Sequence, residues 1–362
     1  MKIGIINPNI IENDPYVGYY TDVFDGIGVD YKYIGWNRNH LYPVTYKSEK
    51  AEIFHYYSPE SNSNFRKIYD YWLFSRFVIK CLKKEKYDFL TIHTLVNSLF
   101  LSNQLKRNFT NKYVFDVRDY SPIYPFVKNL VKNVIQNSAF TVISSSEYKT
   151  WLPRDCDYLM GHNVKKSFVE RALGEQKIER KINKEIVVLT IGQISNFSAN
   201  SRLISSLGNK PTIKIVFAGH GSQKENLELF SKGTFSNVFF SGKYQKEEEP
   251  SIVKTADFIN IVLPNTGLAF NTPMSNRFYL SLLYKIPMIV NEESVQAKWV
   301  KEFHLGFVVT AEEDIYEKLM KYKENFDLKE FTDGCLKMLS IVHKEINVFE
   351  NSLKKKCQEF QV

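Results

Sequence analysis

The feature that most constrains this chain is a regular alternation of short, continuous apolar runs with longer segments of helical period. In the first half the runs are Met1–Pro8, Asp30–Gly35, Tyr87–His93, Lys112–Asp116 and Phe140–Ser144, with helical patterns near 64–84, 95–106 and 125–136 between them. A second series starts at Ile186–Ile191 and continues through 214–218, 238–241, 258–262 and 288–290. Continuous apolar runs mark strands buried on both faces, and strands separated by helices require crossover connections. The expected fold class is therefore α/β, with doubly wound, mostly parallel sheets. Ligands of such sheets sit beyond the carboxyl ends of the strands, so the residues that end each run are the ones to read for chemistry.

A chain of 362 residues exceeds what one core usually spans. The charged stretch Glu170–Glu185, with Gly174, Lys177, Glu179, Arg180 and Lys181, is the best place for a break. The expected organisation is a Rossmann-like domain over 1–168, a linker over 169–185, a second domain over 186–340 and a final helix over 341–362. In that helix Phe349, Leu353, Cys357 and Phe360 recur at helical spacing on one face, while Lys354, Lys355 and Lys356 fall largely away from it.

The formal net charge of +8 favours anionic partners such as nucleotides or acidic lipids. Much of the excess lies in runs such as Lys83-Lys84-Glu85-Lys86, the pattern of a solvated helix face, and no nucleic-acid motif accompanies them, so nucleic acid is not an expected partner. The four cysteines are scattered without paired or zinc spacing, as expected for reduced thiols in the cytoplasm. No apolar run approaches the ~20 residues of a membrane span, which leaves peripheral contact at the inner face of a membrane. The 22 Tyr and 27 Phe suit sugar faces and membrane interfaces, although an A+T-rich genome inflates the same residue types.

Thr272-Pro273-Met274-Ser275-Asn276-Arg277 reads as a helix start leading to the strand Met288-Ile289-Val290. Thr272 is the expected N-cap and Pro273 the first helical residue, where a missing N–H costs nothing. Bare amides at such an end, with Arg277 beside them, form a candidate phosphate site.

Six landmarks then follow in order: Ile191-Gly192-Gln193, Phe217-Ala218-Gly219-His220-Gly221, Ser241-Gly242-Lys243-Tyr244, Lys254-Thr255-Ala256-Asp257-Phe258, Ser275-Asn276-Arg277-Phe278-Tyr279 and Lys285-Ile286-Pro287. Their order resembles the nucleotide-sugar domain of GT-B glycosyltransferases, especially the large retaining family found among bacterial enzymes that build surface polysaccharides. The resemblance implies two Rossmann-like domains facing a central cleft, with the final helix returning to the amino-terminal domain. It also implies a nucleotide-diphosphate sugar as donor, with no tightly bound cofactor and no required metal. The donor-binding candidates are Gly192, Gln193, Arg202, Gly219, His220, Gly221, Lys243, Tyr244, Thr272, Ser275, Asn276 and Arg277.

Departures from the family pattern are informative. The Arg expected after the first glycine is Gln193, the Lys a few residues on is Ser198, and Arg202 lies further along. The two glutamates expected eight residues apart fall on Thr272 and Leu280, counting back from Pro287. Two readings stay open: a divergent transferase with its own donor chemistry, or a non-catalytic GT-B domain serving as partner or scaffold of a glycosyltransferase complex.

In the first half, Val114-Phe115-Asp116-Val117-Arg118-Asp119-Tyr120 resembles an acceptor-domain segment of the same bacterial relatives. Asp119 is expected to orient or deprotonate an acceptor hydroxyl, and Arg118 to hold an anionic acceptor or the leaving phosphate. His93, at another strand end, is a third catalytic candidate. Gly18, Tyr19, Asp116 and Tyr120 are the acceptor-binding candidates. The acceptor class implied is a glycan or lipid-linked sugar. The basic aromatic segment around Arg66–Phe74 is either a contact for anionic membrane or a packing element.

Overall fold

The computed structural model describes residues 1–10, 16–38, 50–59, 62–175, 182–264 and 267–360. Lys177, Glu179, Arg180 and Lys181 of the charged stretch lie outside the described residues. The chain divides into two units, residues 1–163 with 344–362, and residues 164–343.

The first unit contains, in order, β1 (Lys2–Ile6), α1 (Val17–Gly26), β2 (Asp30–Asn37), β3 (Ala51–His55), α2 (Asn64–Lys84), β4 (Phe89–His93), α3 (Leu95–Asn108), β5 (Tyr113–Val117), α4 (Tyr124–Asn137), β6 (Phe140–Ile143) and β7 (Tyr158–Met160). Among the described residues these strands form one seven-stranded sheet in the order β3-β2-β1-β4-β5-β6-β7, with every pairing parallel. The sheet grows outward in both directions from β1, so its switch point lies between β1 and β4, with Ile6 opposite Ile92. One face packs under α2, α3 and α4 through Phe74, Val78, Leu101, Leu105, Val131 and Ile135. The other packs against α1 through Val17, Tyr20 and Phe24.

The second unit contains α5 (Lys166–Gly174), β8 (Ile186–Gln193), α6 (Phe197–Leu207), β9 (Ile213–His220), α7 (Lys224–Ser231), β10 (Val238–Gly242), α8 (Glu249–Lys254), β11 (Phe258–Asn260), α9 (Leu268–Asn271), α10 (Asn276–Tyr284), β12 (Met288–Asn291), α11 (Val295–Phe303), β13 (Gly306–Val309) and α12 (Ile315–Glu324). Among the described residues its parallel sheet has six strands in the order β10-β9-β8-β11-β12-β13, which puts the switch point between β8 and β11. The break between units falls after Asn163, earlier than the charged stretch, because α5 belongs to the second unit. Val169 and Ala172 of α5 are buried, and the Lys285 ammonium donates to the Ala172 carbonyl at 2.9 Å.

A single helix, α13 (Leu328–Glu359), runs from the second unit into the first. Phe349, Leu353 and Cys357 enter the core of the first unit. The Phe349 ring meets Tyr20 edge-on at 5.0 Å, and Phe360 lies 5.6 Å from Phe89. Leu353 is fully buried, so Leu353→Ala should cost about 2–5 kcal/mol through lost burial and the cavity left behind. Urea denaturation of the full chain measures this; a tail that merely extends into solvent would leave the midpoint unchanged.

Candidate functional site

The helix start in the second unit is built differently from the sequence expectation. Thr272 does not cap the helix that carries Arg277; it follows the four-residue helix α9, and its hydroxyl donates to the Leu268 carbonyl at 2.6 Å. Pro273 has no N–H with which to continue that helix, so the chain leaves it and begins again. The new helix, α10, starts at Asn276 and is capped by Ser275, whose Oγ accepts from the Arg277 amide at 3.3 Å. Asn276 is therefore the first helical residue, and it is exposed.

From this cap Arg277 reaches across the switch point. Its Nε donates to the Ile191 carbonyl at 2.6 Å, Nη2 to the Gln193 carbonyl at 2.8 Å and Nη1 to the Asn260 carbonyl at 3.2 Å. The guanidinium thus ties the carboxyl ends of β8 and β11 together through main-chain oxygens. Among the described residues no carboxylate pairs with it. Burial draws its pKa down to about 10, which leaves it cationic at neutral pH. Tyr244 is near enough to feel that charge; burial and Glu249, which accepts from its hydroxyl at 3.3 Å, push the phenol up to about 12. Asn260 is fully buried, and its amide donates to Thr190 Oγ1 at 2.9 Å.

The glycines around this point have two physical origins. A Cβ on Gly219 would lie 1.9 Å from the Gly192 carbonyl oxygen, and one on Gly221 would lie 2.3 Å from that of Ile194, so backbone crowding between neighbouring chain segments demands both. Gly192 instead has φ +91°, and a Cβ there would meet nothing within 4 Å, so conformation alone accounts for it and its outer side is open. Gln193 and His220 are exposed at the ends of β8 and β9, and Lys243 is exposed just past the end of β10. Arg202 lies on α6, where its guanidinium donates to the carbonyls of Thr310 and Glu313. Asn260 and Glu249 escaped the sequence reading; only their positions at a strand end and a helix start mark them.

The polar group of the first unit is closed on itself. Asp116 is fully buried, and its carboxylate accepts from Tyr20 Oη at 2.6 Å and from Arg118 Nη2 at 2.6 Å, with Arg118 Nε 2.6 Å from its other oxygen. Arg118 Nη1 donates to the Gly161 carbonyl and to Asn163 Oδ1, both at 2.8 Å, and the guanidinium lies 4.5 Å above the Tyr16 ring. Burial opposes the Arg118 charge, and Asp116 reverses that effect, holding its pKa above the ordinary value. This fork is fully committed inside the unit. His93 is fully buried, with Nε2 3.0 Å from Thr91 Oγ1 and Nδ1 3.7 Å from Asp116. Asp119 is exposed just past β5, and Tyr120 leans edge-on against Trp151 at 5.3 Å. Gly18 and Tyr19 sit in the first turn of α1, next to Tyr20. Tyr16, Tyr20 and Asn163 were not anticipated, since their partners are distant in sequence, and Thr91 was not, although it meets His93 two residues along the same strand. Among the described residues no group of three or more His, Cys, Asp or Glu is placed to hold a metal ion, and no helix is long and apolar enough to cross a membrane.

No protein-family model matches this sequence, and no curated protein matches it. Solved structures do. Sucrose-phosphate synthase from Thermosynechococcus elongatus aligns with a TM-score of 0.71 at 12% identity over 100% of this chain and 98% of that one. A trehalose-6-phosphate protein of E. coli bound with UDP-2-fluoro glucose aligns at 0.68 and 10% identity over 98% and 99%. HepE of Anabaena in complex with UDP-glucose aligns at 0.65 and 14% identity over 99% and 100%. The chain has the fold of these proteins, two Rossmann-like domains of the GT-B type.

Burial drops the His93 imidazole to about 4, with Asp116 opposing the shift and Arg118 adding to it. The unfolded chain takes up this proton near pH 6.5, whereas the folded chain refuses it until about pH 4. The stability contribution is therefore full above about pH 6.5 and falls by ~3 kcal/mol as the pH drops to about 4. In urea denaturation at several pH values, His93→Gln should lose less stability across that window than the parent; equal losses would mean that another group titrates there.

Proposed function

We propose that this protein is a glycosyltransferase that moves a sugar from a nucleotide-diphosphate donor to a glycan or lipid-linked acceptor, with retention of the anomeric configuration, in the synthesis of a bacterial surface polysaccharide or glycoconjugate. The observation that carries this reading is Arg277, a cation held by three carbonyls at the β8/β11 switch point and paired with no carboxylate among the described residues. An anion completes such a site, and the start of α10 beside it adds the positive end of a helix dipole. Similar folds bound with UDP-glucose and UDP-2-fluoro glucose support a nucleotide diphosphate as that anion.

In this reading the glycosidic C–O bond to the diphosphate breaks, and its electron pair leaves on a phosphate oxygen. Arg277 and the α10 amides stabilise the charge that develops there. Gly192 and Gly219 bring main chain close to the phosphates, Lys243 and Tyr244 lie on the nucleoside side, and Ser275 fixes the helix start. On the first unit, exposed Asp119 orients the acceptor hydroxyl or takes its proton. Asp116, Arg118 and His93 act as positioning residues: the ion pair sets the end of β5 from which Asp119 projects, and His93 packs against its carboxylate. The absence of the glutamate pair favours a second reading, a non-catalytic GT-B domain, because the hydroxyl of Thr272 is turned back to Leu268 and Leu280 carries no polar group.

Arg277→Ala should weaken UDP binding by about 1.5–3 kcal/mol, the loss expected for a charge-assisted contact, and weaken uridine binding much less. Calorimetric titration of both ligands separates the two, since equal losses would point to a damaged fold instead of a lost diphosphate contact. Asp119→Asn should lower sugar transfer at least tenfold with UDP affinity unchanged. Full transfer activity in that variant would remove Asp119 from the chemistry, whereas UDP binding with no transfer from any nucleotide sugar in the parent would favour the non-catalytic reading.

A further inference from the structure

By sequence α2 is either a packing element or a membrane contact, and in the fold its two faces separate. Phe74, Val78 and Cys81 face the core of the first unit. On the opposite side Phe65, Ile68, Tyr69 and Trp72 fall on one face at helical spacing and are 86%, 43%, 48% and 45% exposed. Their face continues toward the carboxyl end as Arg76, Lys80 and Lys83, all exposed. One side of the helix is therefore apolar and aromatic over its first two turns and cationic thereafter, along about 27 Å.

The charges on this face are of one sign. Asp70 is the only acid between residues 64 and 84, and it is buried, where it accepts from Ser58 Oγ at 2.6 Å and pairs with Arg66 at 3.1 Å. Among the described residues no carboxylate pairs with Arg76, Lys80 or Lys83. At the start of α4, which like α2 follows a parallel strand and begins at the carboxyl edge of the sheet, Phe126 is 88% exposed with Leu130 one turn on.

We propose that this face of α2 docks on an anionic lipid bilayer. The aromatic turns enter the headgroup boundary, where Trp and Tyr suit a half-wet environment, and the cationic turns neutralise lipid phosphates. A protein partner would need acids matched to Arg76, Lys80 and Lys83, whereas a bilayer offers both an apolar interior and a diffuse negative surface to one helix. The inference stands independently of the transferase reading, because vesicle binding requires no donor and no turnover.

The test is co-sedimentation of the full chain with vesicles of phosphatidylcholine alone and of phosphatidylcholine mixed with phosphatidylglycerol. Binding should be at least tenfold stronger to the mixed vesicles and fall as salt rises. The pair Arg76→Gln with Lys80→Gln should lose roughly tenfold or more of that affinity, and Phe65→Ser with Trp72→Ser should lose binding to a similar degree, with circular dichroism confirming the fold of each. The cationic positions are solvent-exposed, so the first pair keeps the test valid if the second folds poorly. Equal binding to both vesicle types, or mixed-vesicle binding untouched by the cationic pair, would overturn the proposal. So would conversion of a dimer to a monomer by Phe65→Ser with Trp72→Ser while vesicle binding stayed the same, because the face would then belong to a second copy of the chain.

Discussion

A parallel sheet that grows in both directions from its first strand leaves a gap at the carboxyl ends of two neighbours, where the chain departs to opposite faces. In the second unit that gap lies between β8 and β11, and the carbonyls of Ile191, Gln193 and Asn260 border it. Arg277 answers all three with one guanidinium. Without it these strand-end oxygens would need other donors, so the interaction that closes the sheet also fixes a cation at the place where ligands of such folds sit. Structure and electrostatics cannot be tuned separately there, which explains why the residue is an arginine: a lysine ammonium is a single point donor and lacks the planar fork needed to span two strands.

The two units treat charge in opposite ways. In the first, Asp116 and Arg118 neutralise each other in a fully buried pair, Tyr20 and Asn163 take up remaining hydrogen bonds, and His93 is held neutral by burial. In the second, the central cation is met among the described residues by three neutral carbonyls and no carboxylate. In the proposed transferase reading, exposed Asp119 meets the acceptor and the Arg277 cation meets the donor phosphates.

Much of this was legible in the sequence because central strands and amphipathic helices leave strong patterns. The strands that escaped, Ala51–His55, Tyr158–Met160 and Gly306–Val309, all lie at sheet edges, where strands are only partly buried and so need no continuous apolar run. Arg277 was singled out in the sequence because a cation near a helix start has a local signature, and the structure places it at the β8/β11 switch point. The helix start itself was misplaced by three residues, since Thr272 and Ser275 are both capable caps and only the proline between them decides which helix each serves. Arg118 was read as facing ligand, but Asp116 two residues away pairs with it, and the other groups that claim it, Gly161 and Asn163, lie over forty positions away and leave no trace in its local sequence. The same holds for Arg202, whose carbonyl partners follow β13.

The central claim is that the β8/β11 switch point is a nucleotide-diphosphate site anchored by Arg277. Amide hydrogen exchange of the unaltered chain with and without UDP tests it most directly. The account predicts protection concentrated at residues 191–193, 219–221 and 276–279, with the exchange of α6 around Arg202 little changed. Protection absent from those segments, or confined to the first unit, would contradict it.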